Sequence, residues 1–515
     1  VKLLVLLAFL LAPEEPCTVS GKVVDAVTGA PLGKVQLRLE QIGENDTLIS
    51  ATTSDSEGKF ALAGMEPGSY RLKGMRSGYL ETWYGAKRAD AAGTPLRLDG
   101  GQLVDGLTLR MIPAGVIAGT IRDRDGDPVA GVNVRLWGWK YHQEQNLRFL
   151  NSFEDARTDD LGQYRFANLA ANKYYVQATP PHIRNVVDRS FGKDRRLEVD
   201  VTTYYPGTQE AGGATQVQVT PGAKFTSTDI TLVRARVFKV RGFAVSEPGV
   251  PEPAQVQLLT GKPDVEIWEA GYWTQVKNGE FEFAAVPPGS YTLAATDRPS
   301  GSSHFQGTGH LDVGSADVEG VRIVIGGGTE IVGSLALDGG DKISRQDCVL
   351  DFIGDPLRGR PADLRNDGSF YARLYPGSYS LQFQNDRDPS LFLKSVKLDG
   401  VEIVDQKLTI GAPGKLRLEI ILSRDSGTVE GTTEAGATVI LTPLNLPATA
   451  DQNGRFEFKG VPPGDYRILA FDDIEPGAWL DADFWKGRET QGEPVTVRAK
   501  EKAVARVQMS KPASR

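Results

Sequence analysis

The stretch Gly454–Ile468, G-R-F-E-F-K-G-V-P-P-G-D-Y-R-I, recurs along the chain at domain-sized intervals, and this recurrence limits the possible folds more than any other feature. Four further copies align with it: GKFALAGMEPGSYRL from Gly58, GQYRFANLAANKYYV from Gly162, GEFEFAAVPPGSYTL from Gly279 and GSFYARLYPGSYSL from Gly368. Gly58 and Gly68, Gly279 and Gly289, and Gly454 and Gly464 each stand ten residues apart; Gly368 and Gly377 stand nine apart, and the second copy has Asn172 at the later position. The first position is a turn, because Asn278-Gly279, Asp367-Gly368 and Asn453-Gly454 supply the positive φ of a two-residue hairpin. Pro288-Gly289, Pro376-Gly377 and Pro463-Gly464 are expected to form type II turns, with Pro fixing one central φ and Gly taking φ > 0 at the next. One short strand fits between the two turns.

Alternation gives that strand a buried face: Phe60/Leu62, Tyr164/Phe166, Phe281/Phe283 and Phe456/Phe458 point one way, and Phe370/Ala372 is the weaker fourth case. Two residues past the second turn a tyrosine recurs in all five copies, at Tyr70, Tyr174, Tyr291, Tyr379 and Tyr466. The expected role is a buried ring with its hydroxyl bonded to nearby backbone. Upstream of each copy a β-run carries a central glycine, Gly21, Gly119, Gly242, Gly333 or Gly431, where a bulge or close backbone approach is expected. About seven short strands per roughly hundred residues, with turn signals between them, describe a β-sandwich, and no long stretch has a helical period.

At 515 residues the chain has room for three to five domains, and the repeat number selects five. The expected division is a signal peptide at 1–16 and sandwiches at 17–113, 114–235, 236–326, 327–423 and 424–515. The joints are short, which predicts an extended, semi-rigid array. The opening VKLLVLLAFLLA has one Lys and about ten apolar residues, half of what a membrane span needs, and reads as a secretory signal. The expected location is therefore secreted or cell envelope, in periplasm or at the cell surface, with no membrane span after cleavage. A net charge of −8 from 58 basic and 66 acidic residues, with no basic run, excludes an electrostatic footprint for nucleic acid. Cys17 and Cys348 fall in different units, so no disulfide is expected.

The run SGKVVDAVTGAPLGKVQLRL with SDSEGKFALAGMEPGSYRLKGMRSGY resembles the carboxypeptidase regulatory-like domain, a transthyretin-like β-sandwich. GTIRDRDGDPVAGVNVRL with TDDLGQYRF, and DQNGRFEFKGVPPGDYRILAF, repeat the resemblance, while the third and fourth units keep the core motif behind degenerate openings. The fold expected is thus all-β: about five transthyretin-like (prealbumin-like, Ig-like) sandwiches in tandem. The resemblance implies a non-catalytic accessory or surface module, often in tandem on exported bacterial proteins and related in shape to starch-binding domains, without fixing a ligand.

The sequence carries no recognisable catalytic constellation. A zinc peptidase needs H-x-x-E, but Gln145, Asn185, Gly307 and Val313 follow His142, His182, His304 and His310 at that spacing, and no G-x-S-x-G elbow occurs. His304 and His310 share a loop, but two ligands do not make a metal site. Asp123-Arg124-Asp125-Gly126-Asp127 resembles the start of a calcium loop yet lacks the distal Glu, and equally describes a hairpin turn. No enzyme activity, cofactor or metal is expected. Aromatic residues are the functional lead. Period two sets Trp137, Trp139 and Tyr141 on one face of a strand as a candidate stacking platform for sugars, and Trp268, Tyr272 and Trp273 form a second candidate cluster. The same rings could instead fill a core or a module interface. A third set, Trp83-Tyr84, Tyr204-Tyr205 and Phe484-Trp485, recurs at one structural position and is expected to plug it. These features predict an exported, non-enzymatic binding or adhesion protein with polysaccharide or glycan as partner. The alternative is a structural spacer or assembly subunit that pairs with a cell-envelope protein.

Overall fold

The structure, a computed structural model, describes residues 16–510 apart from 44–46, 143–146, 182–197, 210, 263–264, 299–305, 340–342, 344–347, 355–359, 386–387, 404–405, 412–413 and 489. The expected signal peptide at 1–16 lies outside the described residues except for Pro16. The chain is an all-β tandem array of sandwiches; among the described residues the α-helical element is the four-residue Ala482–Trp485. No helix among them is long and apolar enough to cross a membrane.

Five separate apolar cores follow one another, built from residues between Cys17 and Met111, Ile117 and Leu232, Phe238 and Ile325, Ile331 and Leu422, and Val429 and Val507. Each lies between two sheets. In the first sandwich the opening strand Cys17–Asp25 runs antiparallel to Lys59–Met65 and parallel to the closing strand Leu103–Met111, while Gln36–Gln41 and Gly68–Met75 centre the second sheet. The plan repeats in the third, where Phe238–Ser246 lies between Glu280–Val286 and the parallel Val318–Ile325, and in the fifth, where Gly427–Thr432 lies between Arg455–Val461 and the parallel Lys502–Arg506.

The glycine of each opening strand is required by that parallel pairing. A Cβ added to Gly21 or Gly242 would stand 2.1 Å from a carbonyl oxygen of the closing strand, one on Gly119 2.1 Å from Thr228 C=O just before the closing strand Ile230–Thr231, and one on Gly333 or Gly431 2.5 Å from a closing-strand oxygen. Turn glycines are explained differently: Gly58, Gly162, Gly279, Gly368 and Gly454 all have φ between 70° and 81°. Only at Asn278-Gly279 are both central residues at positive φ. In the first, second and fifth sandwiches an aspartate shapes the turn instead, as Asp55, Asp159 and Asp451 each accept two backbone N–H groups on one carboxylate oxygen.

All five tyrosines are buried, and each hydroxyl donates to the carbonyl four residues earlier: Tyr70 to Glu66, Tyr174 to Ala170, Tyr291 to Pro287, Tyr379 to Tyr375 and Tyr466 to Pro462, at 2.7–3.0 Å. These bonds brace the bend that leads into the tyrosine strand. The type II turn expected there does not form. Gly68, Gly289 and Gly464 do not have positive φ, Gly377 has φ 157° rather than the roughly 80° of a type II turn, and the four begin the strands Gly68–Met75, Gly289–Thr296, Gly464–Phe471 and Gly377–Gln384. Their lack of a side chain makes room for the tyrosine two residues on, since a Cβ would meet that ring or hydroxyl at 3.2–3.4 Å. Asn172 can replace Gly because no left-handed conformation is demanded.

The array is not extended, as the short joints suggested, but folded back so that its last sandwich meets its first. The Gln452 side chain accepts from Arg97 N–H at 2.8 Å and donates to Arg97 C=O at 2.5 Å, Gln452 N–H donates to Pro95 C=O, and Lys87 pairs with Asp472 at 2.5 Å. Short joints restrict each step, but successive bends add, and these contacts hold the result.

Candidate functional site

Strand Asn133–His142 carries the first aromatic candidate group. Leu136 and Gly138 turn inward, so alternation does place Trp137 and Trp139 on the outer face. That face is covered. Trp137 is only 5% exposed, packs with Leu150, Trp139 and Tyr175, and donates its indole N–H to Gln177 Oε1 at 3.0 Å. Arg135 stacks over the ring at 5.5 Å. Tyr141 packs on the fifth sandwich, where left-handed Gly477 (φ 85°) leaves space that a Cβ, 2.6 Å from Tyr141 Cβ, would fill. The expected three-ring platform is therefore corrected: Trp137 presents no free face, and the row serves packing within the second sandwich and against the fifth.

The second group divides likewise. Trp268 lies on strand Val265–Gln275, but its side chain is outside the described residues. Tyr272 and Trp273 are neighbours on that strand and so point to opposite sides. Tyr272 turns to the core and meets Tyr291 edge-on at 6.3 Å, whereas Trp273 is 56% exposed.

Trp273 borders an open groove of about 940 Å³ on the outer face of the opening sheet, shared with Phe243 (51% exposed), Arg241, Glu280 and Glu319. Of the Trp and Phe rings whose burial is described, only these two and Phe225 are exposed. Arg241 Nε donates to Glu282 at 2.6 Å, and its guanidinium lies 3.8 Å from Glu319, which holds the Arg241 pKa above its usual value, with the Glu282 bond the main cause. Phe243 went unnoticed in the sequence. Its signal was present in the alternation Val240, Gly242, Ala244 inward against Arg241 and Phe243 outward, an apolar ring where a solvated residue is expected.

The recurrent third set behaves as a plug. Tyr84 and Tyr205 pack on their cores, Tyr204 is buried with its hydroxyl accepting from Gln177, and Trp485 donates its indole N–H to Trp479 C=O at 2.7 Å. Asp123 spends one carboxylate oxygen on Asp125 and Asp127 N–H groups, the hairpin-turn arrangement. His304 lies outside the described residues, and exposed His310 pairs with Asp312 at 3.1 Å. No group of three or more metal-ligating side chains occurs among the described residues. Cys17 and Cys348 are both buried, and the Cys17 thiol donates to Asp99 C=O at 3.1 Å.

Residues 18–99 match the model of the carboxypeptidase regulatory-like domain. The first sandwich carries that domain, and the chain is a tandem β-sandwich protein. No curated protein matches the chain. Among solved structures, the Bacillus anthracis TIE protein is 12% identical, with 76% of this chain and 69% of that one covered and a TM-score of 0.15. A streptococcal ancillary pilin is 12% identical, covering 60% and 99% with a TM-score of 0.20, and the minor pilin of Streptococcus agalactiae is 13% identical, covering 46% and 99% with a TM-score of 0.22.

Proposed function

We propose that the chain is an exported, non-enzymatic array of five sandwiches, at 17–113, 114–235, 236–326, 327–423 and 424–515, that works by surface binding or adhesion in the cell envelope or outside it, with carbohydrate as its ligand class. The supporting observation is how the recurrent residues are used. Paired aromatic rings fill the cores, the tyrosine hydroxyls bond to backbone, and the opening glycines admit the closing strands. Among the described residues, exposed Trp and Phe surface is then greatest at Trp273 and Phe243, which line one groove, a feature that scattered surface residues do not share. Binding of the full chain to a panel of soluble and insoluble polysaccharides tests the proposal; retention by none of them would reject it.

A second reading, a spacer or assembly subunit of a cell-envelope complex, draws on the closing strand Lys502–Arg506. It sits at the end of its three-stranded sheet with Val504 77% exposed. Such an edge can accept a strand from a partner. Recovery of a specific envelope protein on immobilised chain, lost with Val504→Lys and without any glycan affinity, favours this reading.

A further inference from the structure

Resting on the carbohydrate reading above, we infer that the ligand site is the Trp273–Phe243 groove of the third sandwich and that it takes neutral pyranose polymers rather than acidic ones. Phe243 stands in the middle strand of the opening sheet, with Glu280 opposite it on one neighbour and Arg322 on the other. Trp273 rises beside them from the edge strand of the second sheet. The groove thus joins two rings from different sheets, each more than half exposed. Stable domain surfaces seldom leave two large rings of one groove in water, and an indole and a phenyl ring lining the same groove offer apolar support on which pyranose C–H faces pack.

The polar rim selects among ligands. Glu280, Glu282 and Glu319 line the groove with Arg241 and Lys277, exposed Arg322 flanks Phe243 as a third cation, and Arg241 is already paired with Glu282. Carboxylate oxygens accept hydrogen bonds from sugar hydroxyls, and the Gln275 side chain at the margin can both donate and accept. Charges of the two signs thus balance around the rings, which leaves no net positive field to draw uronates, sulfated sugars or nucleic-acid phosphates, so a nucleotide, whose base could also stack, gains nothing over a neutral sugar. The groove is within the range of ligand-binding clefts.

The experiment compares the full-length chain with Trp273→Ala, Phe243→Ala, Glu280→Lys and Trp139→Ala in affinity electrophoresis against mixed-linkage glucan, mannan, xylan and polygalacturonate, with thermal unfolding as the folding control. Retardation by a neutral polymer, weakened about tenfold or more by Trp273→Ala and by Phe243→Ala but unchanged by Trp139→Ala, supports the site. Neutral-polymer binding that survives both groove substitutions overturns the site while leaving the carbohydrate reading intact. Preference of the unaltered chain for polygalacturonate overturns the ligand class, as does a Glu280→Lys variant that binds polygalacturonate no better than the unaltered chain. Absence of retardation by every polymer overturns both, as does capture of a protein partner through Trp273 with no glycan affinity.

Discussion

Gly242 and Gly309 sit in strand interiors of the same sandwich, neither at positive φ, and they should respond oppositely to the same substitution. A Cβ on Gly242 would lie 2.1 Å from Val321 O and 2.6 Å from Phe281 Cζ, whereas one on Gly309 would meet nothing within 4 Å. Ordinary contact begins at 3.4 Å, so Gly242→Ala forces the opening and closing strands apart by roughly 1.3 Å. Ladder bonds of about 2.9 Å then stretch beyond about 4 Å, where no hydrogen bond remains. Two or three lost bonds together with overpacking of the Phe281 ring destabilise the third sandwich by about 2–4 kcal/mol. Gly309→Ala should be neutral or stabilise by up to about 1 kcal/mol, by reducing the freedom of the unfolded chain. Urea denaturation combined with hydrogen exchange of peptides within residues 238–325 separates the two. Equal stabilities for the two variants would refute the argument that close strand approach selects the opening glycine.

Alkaline pH should weaken the second sandwich. Burial, followed by the charges of Asp90 and Glu154, pushes the Tyr174 hydroxyl up to about 12, while an unfolded tyrosine ionises near ~10. The folded state holds its proton longer, so this contribution is complete below pH ~10 and disappears as pH rises through about 12; Tyr174→Phe should flatten that loss, and an unchanged pH slope in unfolding experiments would contradict it. At the head-to-tail contact, the Lys87–Asp472 pair is exposed and contributes about 0–1 kcal/mol, and the Gln452 amide bonds about 1–2 kcal/mol. Lys87→Glu combined with Gln452→Ala should increase the radius of gyration in small-angle scattering; identical scattering would show that these contacts do not hold the ends together.

Local chemistry made most of each sandwich legible. The turn glycine, the Phe-x-Phe alternation and the tyrosine all act within about fifteen residues of one another, so their spacing in the sequence is nearly their spacing in space. The opening glycine was also readable as a close approach, although the strand it approaches, Val318–Ile325 in the case of Gly242, is set only by the tertiary fold. The Pro-Gly bend was misread because proline and glycine suit a type II turn, while here glycine answers to the tyrosine ring beside it. Exposure of the aromatic candidates could not be read at all. Trp137 and Trp273 both occupy outward positions, but Leu150, Tyr175 and Gln177 cover the first, whereas Trp273 is 56% exposed. Period two assigns a face and is silent about what lies on it. The contact between Gln452 and Arg97 belongs to the same class, since it depends on the sum of four joints.

Pairing the first strand of a sandwich with its last also fixes the order of events during synthesis. As the chain emerges N-terminus first, Cys17–Asp25 can meet Lys59–Met65 early but gains its parallel neighbour only when Leu103–Met111 follows. Until then one flank of the sheet is open and available to a neighbouring nascent chain. Each bead must therefore be translated whole before it can seal, and maturation proceeds in five discrete closures, the risk of aggregation rising before each and falling after it.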